Sequence, residues 1–407
     1  KAIGKDFGDV ARKTYAVASG ALPNGKPIVV NSDGTMSSIA IEDDAVTSAS
    51  LFASDTTKKV RSALDTATNK IMIKYQDSSY AKFVMATISG TTVSFGSVSA
   101  NMYDGDGDLS YNEAEGKFIY IYKGSSSYGK AVVLSVSGTT ISIGSEVVWY
   151  SAGMSRPVVS YDPVRERHVC AYMNENNNRL EARAFRIIGT TPSAGTARTC
   201  RTGPNTQNAI CYDPDSGKHV TTYMDYVGDS YGQKGKFNIL SVSSGSDYMS
   251  ITSDNTATFA DEAVKNGPRD GTAIVYDTIN NKCAFAYVAN NGTLKMLVGT
   301  LDGNTFSFGS ATTIDSSSGG QGFAFSDGIA FAPTSGKIII TYNNSGSSGK
   351  VATVKISGTS IADKTITTFE SAYTQWFTTT YNPDTKNALI FYSDNGNSTY
   401  GTYAVFT

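Results

Sequence analysis

Three aspartates at alternating positions are the residues of this sequence whose type and spacing best suit a metal ion. Asp104, Asp106 and Asp108 are separated by single glycines, and Glu115 follows Asp104 by eleven positions. This arrangement is similar to a calcium-binding loop, but Leu109 stands where such a loop needs glycine and no helical pattern flanks it. We therefore interpret the segment as an acidic turn and predict no metal or other cofactor, with calcium at these three aspartates as the alternative.

Two histidines, His168 and His219, are the only residues able to serve as the base of a Ser-His-Asp or Cys-His site. Neither has a recognisable nucleophile motif beside it. Each lies seven positions after an aromatic residue that recurs along the chain, and equal positions in a repeat favour a packing role. Hydrolysis by such a site is therefore not expected.

Paired carboxylates could hydrolyse glycosides without a histidine. The Ser-x-Asp-x-Gly-x-Thr-Trp box of sialidases has its nearest counterpart at residues 393–400, where asparagine replaces both the Asp and the Gly. Spacing singles out none of the acids expected in loops, which are Asp43, Asp44, Asp225, Asp229, Glu262 and Asp270. We predict that the protein is not an enzyme, and a glycosidase is the alternative.

Composition excludes several other functions. Lys and Arg number 34 against 36 for Asp and Glu, so the formal net charge is -2, which suits neither a general nucleic-acid binder nor a polybasic membrane-surface protein. No apolar run approaches the roughly 18 residues of a membrane span.

Charged residues are only 17%, while Tyr (24) and Phe (18) are plentiful and accompany many Ser, Thr, Asn and Gly residues, a composition typical of strands and turns. The cysteines are interpreted as free thiols used as small hydrophobic residues: Cys170, Cys200, Cys211 and Cys283.

One sequence unit recurs seven times along the chain. It consists of an aromatic residue or Leu, usually Asp or Asn, a short turn, usually a basic residue, an apolar run and a closing Tyr. The first member stands at positions 64, 111, 161, 212, 276, 331 and 381, and the closing Tyr follows it by 11 positions in every copy. We expect the closing tyrosines to pack in the core: Tyr75, Tyr122, Tyr172, Tyr223, Tyr287, Tyr342 and Tyr392.

A second hairpin follows inside most units. Ser89-Gly90-Thr91 and Ser137-Gly138-Thr139 are tight-turn signals between alternating apolar residues, so each unit contains four strands, A to D. Seven repeats of such a unit predict an all-β fold, a seven-bladed β-propeller of four-stranded blades. The blades are expected to start near residues 60, 108, 157, 208, 272, 327 and 377.

The two ends of the chain are expected to complete one blade together. The seventh unit stops after its third strand, and the segment near Asp33-Gly34-Thr35 has the pattern of the missing half. Residues of about 35–42 are therefore predicted to supply the closing strand, because an open ring would leave unpaired edges. This makes residues 31–407 the propeller and leaves residues 1–30 as an N-terminal docking arm.

The longer connections are expected on a single face. The A-to-B and C-to-D turns are short, whereas the B-to-C and D-to-A connections, which share the other face of a propeller, are long and rich in Tyr, Ser, Gly and Asn. Long loops on a rigid scaffold are usual sites of recognition. The candidate ligand-binding residues on this long-loop face are Asn176, Asn177, Arg179, Tyr226 and Tyr231.

Several segments resemble the repetitive virion proteins of marine tailed phages, including phages of cyanobacteria. They are YKGSSSYGKAVVLSVSGTTISIGSEVV, YSDNGNSTYGTYAVFT and TYAVASGALPNGKPIVVNSDGTMSSI, and the resemblance covers about residues 14–407. It implies a structural component of the particle, such as a tail or fibre module or a capsid decoration, without catalytic residues. The third and fourth units depart from the repeat pattern, which favours a contact role for them.

These observations together predict a non-enzymatic virion protein, assembled in the host cytoplasm and present in several copies per particle. The N-terminal arm is expected to contact other virion proteins, and the long-loop face to bind a host-surface glycan or receptor. Neither nucleic-acid binding nor membrane insertion is expected. The alternatives are a propeller glycosidase that depolymerises host polysaccharide and a purely architectural spacer.

Overall fold

The computed structural model describes residues 17–18, 28–38, 44–103, 105–203, 205–226, 233–243, 248–265, 271–316, 327–344 and 348–407. Its contacts divide the chain into two compact regions, Lys1–Ala45 and Val46–Thr407. In the first region, β1 (Ile28–Val30) pairs antiparallel with β2 (Met36–Ser38). The boundary predicted at residue 30 therefore lies inside this hairpin.

Strands make up almost all the regular structure described in the second region. The exception is a single 3-10 turn at Asn395–Asn397. The strands are β3 Ser50–Thr56, β4 Lys58–Asp65, β5 Lys70–Asp77, β6 Tyr80–Ser89, β7 Thr92–Phe95, β8 Met102–Tyr103, β9 Gly107–Asn112, β10 Lys117–Lys123, β11 Gly129–Ser137, β12 Thr140–Ile143, β13 Val147–Tyr150, β14 Met154–Asp162, β15 Arg167–Asn174, β16 Arg179–Ile188, β17 Thr191–Ala194, β18 Arg198–Arg201, β19 Asn205–Asp213, β20 Lys218–Tyr226, β21 Gln233–Val242, β22 Ile251–Ala260, β23 Thr272–Asp277, β24 Lys282–Val288, β25 Leu294–Asp302, β26 Thr305–Phe308, β27 Thr312–Asp315, β28 Ile329–Ala332, β29 Lys337–Asn343, β30 Ser348–Ser357, β31 Ser360–Asn382, β32 Asn387–Asp394 and β33 Tyr400–Phe406.

Consecutive strands pair antiparallel in every sheet of this region. Five sheets repeat the order of a simple meander: β4-β5-β6-β7, β9-β10-β11-β12, β14-β15-β16-β17, β19-β20-β21-β22 and β23-β24-β25-β26. In four of them the outer edge is split, and a second short strand (β8, β13, β18 or β27) also pairs with the third strand. The fold is therefore all-β, as the sequence pattern predicted.

The remaining sheet has seven strands in the order β28-β29-β30-β31-β32-β33-β3. The 23-residue strand β31 is shared, since its first part pairs with β30 and its last part, from Thr374, pairs with β32. The edge strand β3 pairs with β33, from Ser50 opposite Tyr403 to Thr56 opposite Tyr400.

The strand beside β33 is therefore Ser50–Thr56 and not the segment 35–42 expected from the sequence. Within that segment, Met36–Ser38 pairs with β1, and residues 39–42 lie outside the described residues. The physical reason is packing, because Phe52 is buried with its ring 5.8 Å from that of Phe391. Both segments contain several apolar residues, so the sequence alone does not select between them.

In most copies of the repeat unit, the Asp or Asn makes the turn that follows the first strand of the unit. Asp65 Oδ1 accepts hydrogen bonds from the backbone N–H groups of Ala67 and Thr68, at 3.0 and 3.2 Å. This Asx turn recurs at Asp162, Asp213, Asp277 and Asn382. Since the side chain replaces a backbone acceptor, the turn is specified locally.

The basic residue of the repeat unit links neighbouring sheets. In two copies the basic side chain, and in a third the asparagine that replaces it, donates to a backbone carbonyl in the third-to-fourth strand turn of the next sheet. Three such bonds, each 2.8 Å long, run from Lys70 to Gly138, from Lys117 to Gly189 and from Asn387 to Gly90. The copy with asparagine in place of the basic residue thus makes the same kind of bond, and it joins the end of the chain to its first complete sheet.

The apolar core lies between neighbouring sheets. Every buried cluster combines residues of two successive sheets, or of the two halves of the seven-stranded sheet, and one cluster joins Leu389 and Phe391 to Ile71 and Ile73. The closing tyrosines are all buried, as predicted. We call β4, β9, β14, β19, β23, β28 and the last part of β31 the innermost strands. They contact one another in a cycle: β4 with β9, β9 with β14, β14 with β19, β19 with β23, β23 with β28, β28 with β31, and β31 with β4.

Candidate functional site

The innermost strands surround one cleft of about 260 Å³, to which all of them contribute lining residues. Each of these strands begins on the side of the long connections and ends at the short turn to the next strand, so its first residues lie at one mouth of the cleft. Polar and charged side chains converge there. We call this group the channel-mouth cluster: Lys59, Arg61, Asp106, Asp108, Arg156, Asn208 and Asp327.

Bulges in the innermost strands direct these side chains. The pairing register of β4, β14, β19 and β31 shifts near the start of each strand. Lys59, Arg156 and Trp376 lie at these shifts with φ of 48°, 53° and 57°. A bulge turns a side chain out of the regular alternation, and a positive φ is unfavourable for residues other than glycine. Bulges of this kind cluster at functional sites.

Arg61 is the centre of the cluster, and its side chain is only 5% exposed. Its Nε lies 2.8 Å from Asp327 Oδ2 and 3.8 Å from Asp108 Oδ1. Asp108 is held in addition by the backbone N–H groups of Val159 and Leu109, at 2.7 and 2.9 Å. The geometry of the cluster is therefore fixed by buried charge pairs and not by mobile surface contacts.

The pKa values of the neighbouring residues Asp106 and Asp108 are shifted in opposite directions. Burial raises the pKa of Asp108 above its ordinary value, against the attraction of Arg61. Burial also acts on Asp106, but Lys59, whose Nζ lies 3.2 Å away, together with Arg61 lowers the pKa of that carboxyl below its ordinary value. Asp106 is therefore ionised at neutral pH.

Two buried polar atoms of the cluster have no hydrogen-bond partner among the described residues. They are Asn208 Oδ1 and Arg156 Nη1. Asn208 is 4% exposed, and its Nδ2 donates to Arg156 O at 3.2 Å. Both residues line a recess of about 10 Å³ beside Arg61 and Asp106, which is large enough for one water molecule or one small polar group. One acceptor and one donor are thus available to a ligand.

The candidate binding residues from the sequence lie elsewhere or are not described. Asn176 and Asn177 are exposed in the turn between β15 and β16, and Arg179 begins β16 with an exposed side chain. No hydrogen bond or ion pair in the described part of the chain joins them to the channel-mouth cluster. The side chain of Tyr226 and the whole of Tyr231 lie outside the described residues.

The candidate loop acids have structural partners where they are described. Asp225 is fully buried, accepts a 2.8 Å bond from Arg201 and lies 2.8 Å from Lys236 Nζ. Glu262 accepts from Tyr287 at 2.6 Å and from Lys295 at 2.8 Å. Asp44 is half-buried, and three further candidates lie outside the described residues: Asp43, Asp229 and Asp270.

The calcium alternative is weakened by the same pairing. Asp106 and Asp108 are neutralised by Lys59 and Arg61, and Asp104 lies outside the described residues. Across the ranges that the structure describes, no group of three or more His, Cys, Asp and Glu residues is arranged to hold a metal ion.

The histidines are buried completely. His168 Nδ1 lies 3.1 Å from Ser110 Oγ, and His219 Nδ1 lies 2.7 Å from Ser160 Oγ. Burial lowers the pKa of each histidine to about 3. Both are therefore neutral at physiological pH and have no access to solvent, which agrees with a packing role.

Sequence reasoning missed Arg61, Arg156, Asn208 and Asp327. The available signal was a charged or amide side chain inside an apolar strand pattern, as in KKVRSALD for Arg61. A buried arginine needs a buried acid. However, its partner Asp327 is 266 positions away along the chain, so no local pattern connects the two.

Solved structures with the same fold identify the architecture. No protein-family model and no curated protein matches the sequence. The chain is similar to a protein from Lactobacillus plantarum (TM-score 0.55, 10% identity, covering 86% of this chain and 94% of that one). It is also similar to the β-propeller domain of Myceliophteria thermophila Cps50 (Swd1) (0.54, 10%, 89% and 99%) and to the periplasmic gluconolactonase PpgL of Pseudomonas aeruginosa (0.54, 8%, 77% and 85%).

At such low identity these likenesses define the fold alone. With the meander sheets and their circular contacts, they establish that this chain is a β-propeller protein built from repeats. No helix among the described residues is long and apolar enough to cross a membrane.

Proposed function

We propose that this chain is a seven-bladed β-propeller of a tailed-phage virion, which recognises a host-surface glycan through its long-loop face without catalysing a reaction. The virion setting rests on the sequence resemblance over residues 14–407. The fold of its solved neighbours is compatible with many functions, since propellers serve as scaffolds for unrelated sites.

The blade count and the closure of the ring are part of this proposal. Dividing the long strand β31 between two blades gives seven four-stranded groups, of which the last is completed by β3. The bond from Asn387 to Gly90 and the packing of Phe391 with Phe52 favour direct closure of the last blade on the first.

The observation that carries the recognition function is the available pair of polar atoms at the channel mouth. Asn208 Oδ1 accepts and Arg156 Nη1 donates, and both lie in a rigid buried recess on the long-loop side. A sugar hydroxyl can donate and accept at once, so a single hydroxyl would satisfy both atoms. An unsatisfied buried polar group costs about 1–3 kcal/mol, which binding would recover.

Arg156→Gln tests this site, with Lys386→Gln as its matched control. Each substitution removes one positive charge from a residue with positive φ, 53° and 59° respectively, but Lys386 lies on the face of the short turns. We expect purified protein to bind host envelope polysaccharide, Arg156→Gln to weaken that binding about tenfold, and Lys386→Gln to leave it unchanged. Equal binding by both variants would remove the channel mouth as the site.

A hydrolase is the second candidate, because the pKa values of Asp106 and Asp108 are moved in opposite directions. Such a pair can supply an acid and a base. One of the solved neighbours is named a gluconolactonase and another a putative 6-phosphogluconolactonase. Against catalysis, Asp108 is buried and already accepts two backbone hydrogen bonds.

Incubation with host polysaccharide, read as released reducing ends, separates the two functions. We expect no release. Release that disappears in Asp108→Asn, while that variant still melts like the parent, would establish the hydrolase instead. Absence of both binding and release, with the long-loop face packed against other subunits in an image of the particle, would favour the purely architectural spacer.

The N-terminal arm, residues 1–30, is proposed to attach several copies of the propeller to other virion proteins. The deletion removes β1 but no strand of the second region, so it is expected to leave the melting temperature of the propeller unchanged and to abolish its incorporation into particles. Normal incorporation of the shortened protein would place the attachment elsewhere.

A further inference from the structure

Arginine is concentrated in one sheet of this protein. Eight of the eleven arginines lie between Met154 and Arg201, a stretch that contains no lysine and only four acidic residues. That stretch therefore carries a net positive charge in a chain whose overall formal charge is -2. Arginine differs from lysine in presenting a planar fork of donors that matches carboxylate and sulfate groups.

An open groove of about 650 Å³ lies along the outer strands of this sheet. Its lining consists of Arg183 and Arg186 on β16, the segment from Ser193 to Ala197, and Met249 with Ser250, which directly precede β22. Glycine is required at position 195, because a Cβ atom there would lie 1.8 Å from Met249 O. The close approach of the two segments that forms the groove wall is therefore built into the sequence.

The two arginines of the groove differ in their hydrogen bonds within the protein. The guanidinium of Arg183 donates to Tyr172 OH and to Gly195 O, each at 3.2 Å, and it stacks over Trp149. The Nε of Arg186 is buried and has no hydrogen-bond partner among the described residues. Arg183 is thus fixed as part of the groove wall, whereas Arg186 has a hydrogen-bond donor available to a ligand.

We propose that this groove binds an anionic sugar residue, carrying a carboxylate or sulfate group, of an acidic polysaccharide. The guanidinium groups match the anion, and the hydroxyls of Ser193, Thr196 and Ser250 suit sugar hydroxyls. None of the described residues that line the groove is acidic. Among the described lining residues, apolar side chains of an acidic protein segment would find only Met249 and alanines to pack against, so the lining favours a polysaccharide.

This site shares no residue with the channel-mouth cluster and does not rest on the proposed function. Its test uses the full chain, with alginate as the carboxylated probe, dextran sulfate as the sulfated probe and neutral dextran as the uncharged control. We expect binding to at least one anionic polymer, weakened by added salt because the attraction is between charges, and no binding to dextran.

Arg186→Gln is expected to lower the affinity for the bound polymer about tenfold, and Arg186→Lys, which keeps the charge but loses the fork, to lower it less. Lys386→Gln removes a charge elsewhere and is expected to change nothing. Unchanged melting curves establish that the variants fold.

Equal losses in Arg186→Gln and Lys386→Gln, binding of neutral dextran, or tighter binding of poly-glutamate than of either anionic polysaccharide would overturn the proposal. Loss of binding in Arg156→Gln alone would place the anion-binding site at the channel mouth, and would also overturn the proposal.

Discussion

Acidification from pH 8 to pH 5 is predicted to destabilise the folded protein through its two histidines. His168 and His219 are fully buried, and burial lowers the pKa of each to about 3, whereas the unfolded chain has histidines of pKa about 6.5. Below pH 6.5 the unfolded state binds protons that the folded state does not. Stability therefore falls as the pH decreases from 6.5 towards 3.

The size of the effect follows from the two pKa values. One pH unit below the pKa of the unfolded state corresponds to about 1.36 kcal/mol per histidine, so each contributes a loss of about 2 kcal/mol at pH 5. The two together give about 4 kcal/mol, a large part of the 5–15 kcal/mol that stabilises a typical protein. Carboxylates contribute little between pH 6.5 and 5, because most of them titrate at lower pH.

Urea denaturation at pH 8, 6.5 and 5 measures this loss in the parent, in the single variants His168→Gln and His219→Gln, and in the double variant. Each single variant is expected to remove about half of the pH dependence, whatever its stability at pH 8. A parent whose free energy of unfolding changes by less than 1 kcal/mol over this range would refute the reasoning. The same pH dependence in parent and double variant would refute it as well, because the protons would then bind elsewhere.

Three further changes test the packing of the fold, each read from urea denaturation at pH 8. Phe52→Ala is expected to cost about 3–5 kcal/mol, because its ring is buried against that of Phe391, and a loss below 1 kcal/mol would argue against β3 as the partner of β33. Lys117→Met should cost about 1 kcal/mol by removing the bond to Gly189 O, while Lys386→Gln, on an exposed turn, should cost nothing measurable. Gly195→Ala is expected to cost about 1–3 kcal/mol, since its Cβ would collide with a backbone oxygen that cannot easily move, and wild-type stability would contradict that close contact.

The repeat and its turns could be predicted from the sequence because they are specified locally. The Asx turns and the alternating apolar residues each depend on residues within a few positions of one another, and the closing tyrosines were recognisable by their fixed place in the repeat. Even the basic residue of the repeat was visible as a constant spacing. Its bond to the turn of the next sheet was not, because that bond joins Lys70 to Gly138 across 68 positions.

The sequence by itself thus determined the all-β class, the repeated strand unit and the burial of its tyrosines. Only the tertiary structure decided which N-terminal segment lies beside β33, because both segments contain apolar residues and the burial of Phe52 selects one. It also decided the channel-mouth cluster, where Arg61 and Asp327 meet although 266 positions separate them along the chain. The physical reason is that a charge pair or an edge strand is chosen by packing among distant segments, whereas a turn is chosen by its own residues.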